Sequence, residues 1–238
     1  MNKVKGHLPF QKWSSKWDSA KKAKGEVEAI IDLWKQPVPD CAKRLNWKLE
    51  LGYRKTHKGL PCGEQKIEKQ LLGSKNHFSF RKLVIKGNTS HTFIGVYNDM
   101  RCAPDYGSKK TIGQVIADAF GLILDDKGVI RPICVEVKVT DANPWFALVE
   151  NLKQVKLMRF NEKELNRFLS ELHLPNAKGT WGIVLAPETY YTKHKEALAQ
   201  AKKLLVELKS RTEARIAFCT SDNLPQNEIK VKCSNWNF

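Results

Sequence analysis

Three charged residues on two adjoining apolar segments are the residues of this sequence best suited to chemistry. Glu136 and Lys138 lie two positions apart in the apolar run VEVKV, so a strand would present both on one face. Buried charge is costly unless it is paired or binds a metal. The segments IADAFGLIL and VIRPICVEVKV flank a DDKG turn and predict a hairpin. A three-residue loop, Asp126 to Gly128, would place Asp118 opposite Glu136, whereas a slip of one residue would separate them.

These residue types favour a metal site for phosphoryl chemistry. Two neighbouring carboxylates repel each other unless a cation lies between them. Oxygen ligands with room for water suit Mg²⁺ or Mn²⁺ better than zinc. A lysine beside that cation could orient or deprotonate a water, or stabilise charge on a phosphoryl transition state. The alternative is a structural salt bridge on an edge strand.

The order of these residues resembles the PD-(D/E)xK nuclease superfamily. Asp118, a hairpin, Glu136-Val137-Lys138 on an apolar strand and then an amphipathic helix follow one another in about forty residues. The resemblance implies an α/β fold like that of restriction endonucleases, with a mixed central sheet flanked by helices. It also implies Mg²⁺-dependent hydrolysis of DNA. Asp118, Glu136 and the backbone carbonyl of Val137 would hold the metal, and Lys138 would assist the attacking water.

The helix that follows the hairpin adds a further catalytic candidate. Asn151, Gln154 and Met158 share the side opposite its apolar stripe. Gln154 resembles the glutamine of RecB-like members of the superfamily, in which a tyrosine stands where this chain has Met158. Ala117 precedes Asp118 in place of the family's proline, and Asp105, after a proline, is the alternative first acid.

Many members of the superfamily add a glutamate from a helix ahead of the sheet. Glu64 and Glu68, on a helix predicted at 63–72, are the candidates for this additional acid, with Glu28 behind them. The alternative for each of the three is a solvated acidic position.

The charge of the chain favours a polyanionic partner. Lys and Arg total 41 against 25 Asp and Glu, a net charge of +16. Nucleic acid is the first expectation, DNA before RNA, because neutralised phosphates release counterions; an anionic membrane surface and a merely solvated surface are the alternatives. The candidate nucleic-acid-binding residues are Lys12, Trp13, Lys16, Lys21, Lys22, Lys109, Lys110, Lys193 and Lys195. For the basic segment 1–24, the alternative to a nucleic-acid arm is that its tryptophans dock on the body.

The chain reads as one α/β unit with an N-terminal elaboration at 1–60 and a nuclease-like core at 61–238. Asn143 as N-cap and Pro144 in the first turn predict the start of the helix after the hairpin. The other predicted helices are 25–36, 63–72, 162–173 and 188–210. Outside the hairpin, the predicted strands are 46–54, 77–87, 91–97, 180–187 and 214–220, with an edge strand in the tail.

Several classes are disfavoured by the sequence. It contains no run of roughly 18 apolar residues and no apolar core of a secretory signal, which predicts a cytoplasmic protein without a membrane partner. Its six cysteines lack zinc-ligand spacing. The sequence therefore predicts a Mg²⁺- or Mn²⁺-dependent deoxyribonuclease, with endonuclease action favoured and a homodimer required for paired cuts. The alternatives are a nucleic-acid-binding protein that does not cut and a basic structural or assembly protein.

Overall fold

The computed structural model describes residues 7–42, 63–64, 66–67, 82–85, 89–102, 115–125, 127–139, 142–171 and 173–221. The helices are α1 (His7–Lys22), α2 (Val27–Lys35), α3 (Pro144–Phe160), α4 (Glu162–Glu171), α5 (Glu188–Lys193) and α6 (Lys195–Arg211), with a 3-10 turn at Asp40–Ala42. The strands are β1 (Lys82–Ile85), β2 (Thr89–Arg101), β3 (Ile116–Leu124), β4 (Ile130–Val137), β5 (Trp181–Ala186) and β6 (Ile216–Thr220).

The described strands form one mixed sheet in chain order, β1 to β6. The pairs from β1 to β4 are antiparallel. The pairs β4–β5 and β5–β6 are parallel. Parallel neighbours require crossover connections, which α3 with α4 and α5 with α6 provide. The predicted α/β class with a mixed sheet and flanking helices is thus confirmed.

The β3–β4 hairpin has the register that the turn sequence predicts. Ala119 pairs with Val135, so the next position along each strand sets Asp118 opposite Glu136. The amide of Asp125 donates to the Val129 carbonyl over 2.9 Å and closes the loop. Gly128 has a φ of 72° in the turn, where an L side chain would be strained. The expectation of a three-residue loop is therefore confirmed.

Helix α3 lies buried between the sheet and α1. The Asn143 side chain caps it by accepting from the Phe146 amide over 3.0 Å, and Pro144 occupies the first turn as predicted. Gly182 in β5 permits the close approach, because a Cβ there would lie 2.0 Å from Asn151 Oδ1 and 2.9 Å from Val155 Cγ2. This close packing brings the polar side of α3 onto the end of β4.

The described part of the basic N-terminal segment, residues 7–24, contains a docked helix and is not a free arm. Phe10 and Trp17 are fully buried and Trp13 is 5% exposed in the same hydrophobic core that the sheet contributes to. Trp13 stacks on Phe10 with ring centroids 5.8 Å apart. The prediction that Trp13 binds nucleic acid is wrong, because its ring is covered by protein. The alternative, in which the tryptophans dock on the body, is the arrangement observed.

The second half of the chain follows the predicted pattern with one interruption. The helix expected at 188–210 is divided at His194, whose backbone (φ −115°, ψ 41°) leaves the helical region. No helix in the described part of the chain is long and apolar enough to cross a membrane. The strand predicted at 46–54, the tail strand, Glu68, Asp105, Lys109 and Lys110 lie outside the described residues.

Candidate functional site

The Glu136 carboxylate is the centre of a buried polar cluster at the end of β4. Its residue is 4% exposed. One oxygen, Oε1, lies 2.5 Å from Lys138 Nζ. The other, Oε2, accepts a hydrogen bond from Gln154 Nε2, also over 2.5 Å. The strand, its continuation and the crossover helix therefore converge on one carboxylate.

Asp118 meets the same strand from the neighbouring β3. Its Oδ2 accepts a hydrogen bond of 2.7 Å from the Val137 amide. The recorded β3–β4 pairing ends one position earlier, at Ala119 and Val135. On the other side of β4, the Lys138 amide donates to the Leu185 carbonyl of β5 over 2.9 Å. The Asp118 side chain thus replaces the backbone partner at the point where the hairpin strands stop pairing.

Burial and repulsion between carboxylates both raise the pKa of Glu136. Burial is the largest influence and raises the pKa of the Glu136 carboxyl well above its ordinary value. The charge of Asp118 adds to this effect, and the Lys138 ammonium opposes it. Two carboxyls in this relationship compete for a proton or share a cation.

Lys138 is held as a cation by its acidic neighbours. Burial alone would lower its pKa, but the charges of Glu136 and Asp118 outweigh burial and raise it above the ordinary lysine value. The side chain keeps 13% of its surface exposed. In this arrangement Lys138 is a charged hydrogen-bond donor at neutral pH, which suits orienting a water better than deprotonating it.

The amide of Gln154 is oriented by a second amide on α3. Asn151 Nδ2 donates to Gln154 Oε1 and to the Cys134 carbonyl, both over 3.0 Å. With its oxygen engaged in this way, Gln154 turns its NH₂ group toward Glu136. Asn151 is fully buried, and Met158, on the same side of the helix, is fully buried as well.

Glu150 belongs to the cluster although the sequence analysis did not select it. Its Oε2 lies 3.6 Å from Lys138 Nζ, and its Oε1 lies 2.8 Å from Lys21 Nζ. Burial would raise its pKa, but hydrogen bonding to Lys21 and the charge of Lys138 hold the pKa below its ordinary value. Its spacing from Gln154, four residues on the same helix, is the signal that could have identified it.

Tyr190 is a second residue that the sequence analysis missed. It is 2% exposed, and its hydroxyl finds no hydrogen-bond partner among the described residues. Burial raises the pKa of the phenol, the charges of Glu64, Glu136 and Glu150 raise it further, and that of Lys138 opposes them. A buried donor therefore lies within the electrostatic range of the cluster.

The predicted additional acids differ in their positions. Glu64, a half-buried helical residue, raises the pKa of Tyr190 through its charge. Glu28 instead pairs with Arg211 at 2.5 Å on the exposed surface. For Glu28 the alternative of a solvated acid is confirmed.

Five of the predicted nucleic-acid-binding lysines that the structure describes lie on two surface segments. Lys12, Lys16 and Lys22 are exposed on α1, and Lys193 and Lys195 are exposed where α5 meets α6. The chain just after α1 approaches α6, because a Cβ at Gly25 would lie 3.6 Å from Gln200 Nε2. After burial, the charges of Lys193 and Lys24 both lower the pKa of His194. The prediction that Lys21 also binds nucleic acid is wrong, because its ammonium faces inward and pairs with Glu150 at 2.8 Å.

The carboxylate oxygens of Asp118 and Glu136 fit Mg²⁺, which keeps water ligands, better than a metal ion held by protein side chains alone. Within the described ranges, no three His, Cys, Asp or Glu side chains form a group that could hold a metal ion. Mg²⁺ is commonly bound by one or two carboxylates and completes its shell with water and substrate phosphate oxygens. Asp118 and Glu136 supply such a pair, and the charge of Asp118 helps to raise the pKa of Glu136 after burial.

The fold and the cluster define an α/β protein with a buried acid–amine–amide site at the end of a central strand. No protein-family model, no curated protein and no solved structure matches the chain. Function is therefore argued from the geometry of this site.

Proposed function

We propose that the protein is a metal-dependent nuclease of the PD-(D/E)xK type that hydrolyses DNA phosphodiester bonds. The observation that carries the proposal is the hairpin register, which sets Asp118 opposite Glu136 while Glu136 contacts Lys138 at 2.5 Å. Two neighbouring strands and their continuation thereby carry two acids and an amine, and the charge of Asp118 acts on the pKa of both Glu136 and Lys138. A structural salt bridge would need only one of those acids.

The surrounding topology supports the same proposal. A restriction endonuclease-like core is expected to carry its acids on a hairpin, followed by a crossover helix and a parallel strand. Here β3 and β4 are followed by α3 and by β5, which pairs with β4 in parallel. Gln154 on the crossover helix contacts Glu136, as the resemblance to RecB-like members implies.

The proposed metal ligands are the carboxylates of Asp118 and Glu136 and the backbone carbonyl of Val137. When bound there, Mg²⁺ or Mn²⁺ would act as a Lewis acid toward the phosphate and lower the pKa of a bound water. The requirement for an oxygen-binding ion agrees with the two carboxylates, which are hard oxygen ligands.

The side chains around the acids divide the remaining work. Lys138, a cation in this environment, donates hydrogen bonds to the attacking water or to a phosphate oxygen as negative charge develops. Gln154 fixes the rotamer of Glu136, because its own oxygen is engaged by Asn151. The buried surroundings of Glu136 limit competing water, so these charges act at a low effective dielectric.

The proposed substrate is double-stranded DNA, held by the exposed lysines of α1 and of the α5–α6 junction. The chain just after α1 approaches α6 at Gln200, so both segments can contact one phosphate backbone. Endonuclease action is favoured over exonuclease action, and a homodimer would be needed for paired cuts across a duplex. RNA cleavage is the outcome that would revise the substrate class.

The test is Mg²⁺-dependent cleavage of covalently closed plasmid DNA and of end-labelled linear DNA and RNA. Glu136→Ala and Lys138→Ala should each abolish cleavage of the closed circle, while salt-dependent DNA binding is retained. The matched control is Arg131→Ala, which breaks a 2.9 Å ion pair with Asp125 at the far end of the same hairpin. Full cleavage by either site variant would refute the proposal.

One observation favours the second candidate, a nucleic-acid-binding protein that does not cut. The contact between Lys138 and Glu136 already neutralises the buried acid without a metal. Titration calorimetry with Mg²⁺ and Mn²⁺ separates the candidates, because a protein that only binds DNA has no need of an ion at Asp118 and Glu136. Ion binding that Glu136→Gln abolishes would favour the nuclease.

A further inference from the structure

A row of alternating charges connects the N-terminal helix to the proposed catalytic lysine. Lys21 Nζ on α1 lies 2.8 Å from Glu150 Oε1. The other oxygen of Glu150 lies 3.6 Å from Lys138 Nζ, and Lys138 in turn lies 2.5 Å from Glu136. Lys138 is therefore placed between two carboxylates, one on its own strand segment and one on α3.

These two carboxylates, Glu136 and Glu150, have different roles when a metal ion is bound at the proposed site. Glu136 is a proposed metal ligand, so its oxygens are then engaged by the ion and by Gln154. Glu150 is held from the opposite side by Lys21, which is only 16% exposed and whose ammonium also lies 4.5 Å from the centre of the Phe146 ring. Among the described acids that contact Lys138, Glu150 is the one that stays available to it.

We propose that Lys21 and Glu150 are positioning residues for Lys138, and that Glu150 holds the lysine in place when Glu136 binds the metal. The inference rests on the proposed nuclease function. Under it, the N-terminal elaboration completes the active site and is not merely a DNA-binding attachment. Neither residue contacts the substrate; both act through the direction in which Lys138 points.

Docking of the helices alone does not account for the Lys21–Glu150 pair. A second ion pair, Lys153 with Asp18 at 3.1 Å, already joins α1 to α3. Lys153 also donates to the Ser14 carbonyl over 3.4 Å. This second pair lies between the same two helices and its direct contacts are with Asp18 and Ser14, although the charges of Lys21 and Glu150 also influence the pKa of Lys153. It therefore provides a control that separates docking from positioning.

The experiment compares steady-state cleavage by full-length Glu150→Gln, Lys21→Met and Lys153→Met with that of wild type, in Mg²⁺. Glu150→Gln and Lys21→Met should lower kcat by on the order of ten- to a hundredfold with KM nearly unchanged, the range for a misplaced catalytic group. Lys21→Arg should recover most of the loss, because it restores the charge at the same place. Lys153→Met should remain within about twofold of wild type, since the site keeps its own contacts.

The outcomes distinguish this inference from the proposed function. Absence of cleavage by the wild-type chain would overturn both. Wild-type cleavage with an unchanged kcat in Glu150→Gln would overturn the positioning role alone. Equal losses in Lys21→Met and Lys153→Met would also overturn it, because α1 would then act only by docking. Circular dichroism and thermal unfolding of each variant identify a change in fold, and Lys21→Arg provides the comparison that keeps the fold intact.

Discussion

Gln154 donates a hydrogen bond to the Glu136 carboxylate over 2.5 Å and so joins the crossover helix to the strand that precedes it. The donor is itself oriented by Asn151. Both oxygens of the Glu136 carboxylate are engaged, one by Lys138 and one by Gln154. Because the residue is buried, the carboxylate can rotate only by losing these contacts. The activity proposed for the site and the stability of the fold should both depend on this constrained arrangement and on the packing that supports it.

Removing the Gln154 amide should weaken catalysis more than it weakens the fold. In Gln154→Ala, Glu136 loses the donor that fixes its rotamer, and kcat should fall by on the order of tenfold to a hundredfold. In Gln154→Glu, kcat should fall further than in Gln154→Ala, because a second carboxylate would repel Glu136. Met158→Leu, a buried change one turn along the same side of α3, is the control. Wild-type kcat in Gln154→Ala would show that the contact has no catalytic role.

The adjacent tyrosines of α5 should respond in opposite directions to loss of the hydroxyl. The Tyr191 hydroxyl lies 2.8 and 3.1 Å from the carbonyls of Val184 and Cys219, which share its one proton, so Tyr191→Phe should lower the free energy of unfolding by about 1 kcal/mol. Tyr190→Phe removes a buried hydroxyl that has no partner among the described residues, and should raise it by about 1 kcal/mol. Urea unfolding measures both. Destabilisation by Tyr190→Phe would indicate that its hydroxyl is bonded in solution.

Asp125 should stabilise the protein at neutral pH and lose this effect in acid. Burial would raise its pKa, but the amides of Val129 and Lys127 and the Arg131 guanidinium lower it below 3.8. A carboxyl whose folded pKa is depressed contributes stability above its unfolded pKa, and the contribution disappears as pH falls through the folded value. Asp125→Asn should therefore lower Tm at pH 7, by the equivalent of about 2 kcal/mol for charged hydrogen bonds.

The same comparison of Tm, repeated at lower pH, tests whether the stability contributed by Asp125 is lost in acid. The difference in Tm between wild type and Asp125→Asn should begin to shrink as the pH falls below about 5, because the carboxyl of the unfolded chain then takes up a proton, and it should go on shrinking until the pH has passed the lower pKa of the folded state. A difference that stays constant down to pH 3 would assign the stabilisation to shape and not to charge.

Gly182 should be intolerant of even a methyl group. The added Cβ would lie 2.0 Å from Asn151 Oδ1 and 2.8 Å from Ile216 Cγ1, so α3 would have to move away from the sheet. Gly182→Ala should lower the free energy of unfolding by about 2–3 kcal/mol, as overpacking does, and should also lower kcat because α3 carries Gln154. Gly128→Ala is the comparison: nothing lies within 4 Å of its Cβ, and its positive φ alone should cost about 1 kcal/mol. Retention of wild-type stability in Gly182→Ala would contradict the close packing of α3.

The parts of the site that the sequence predicted are those set by local chemistry. Loop length and the positive φ of Gly128 determine the hairpin register, and this register places Asp118 opposite Glu136. The position of Gln154 follows from helical spacing after a recognisable N-cap. Each of these signals lies within about forty residues of chain and depends on backbone geometry that the residue types reveal.

The parts that the sequence did not predict depend on docking between distant segments. Several lysines on α1 look equivalent in the sequence, yet only the fold shows that Lys21 faces Glu150 while Lys12 faces solvent. The same ambiguity led to the wrong prediction for Trp13, since an aromatic residue among lysines suits either base stacking or burial. The break at His194 was missed because both halves of the segment have helical periodicity.

The docking of α1 joins two segments that the ribosome makes at different times. Lys21 and Glu150 lie 129 positions apart, which at ribosomal rates corresponds to a delay on the order of ten seconds. Throughout that interval the apolar side of α1, with Phe10 and Trp17, has no α3 to cover it. The apolar side of α1 is therefore uncovered on the nascent chain until α3 has been made. The contact of Glu150 with Lys138 likewise forms only after most of the chain has been synthesised.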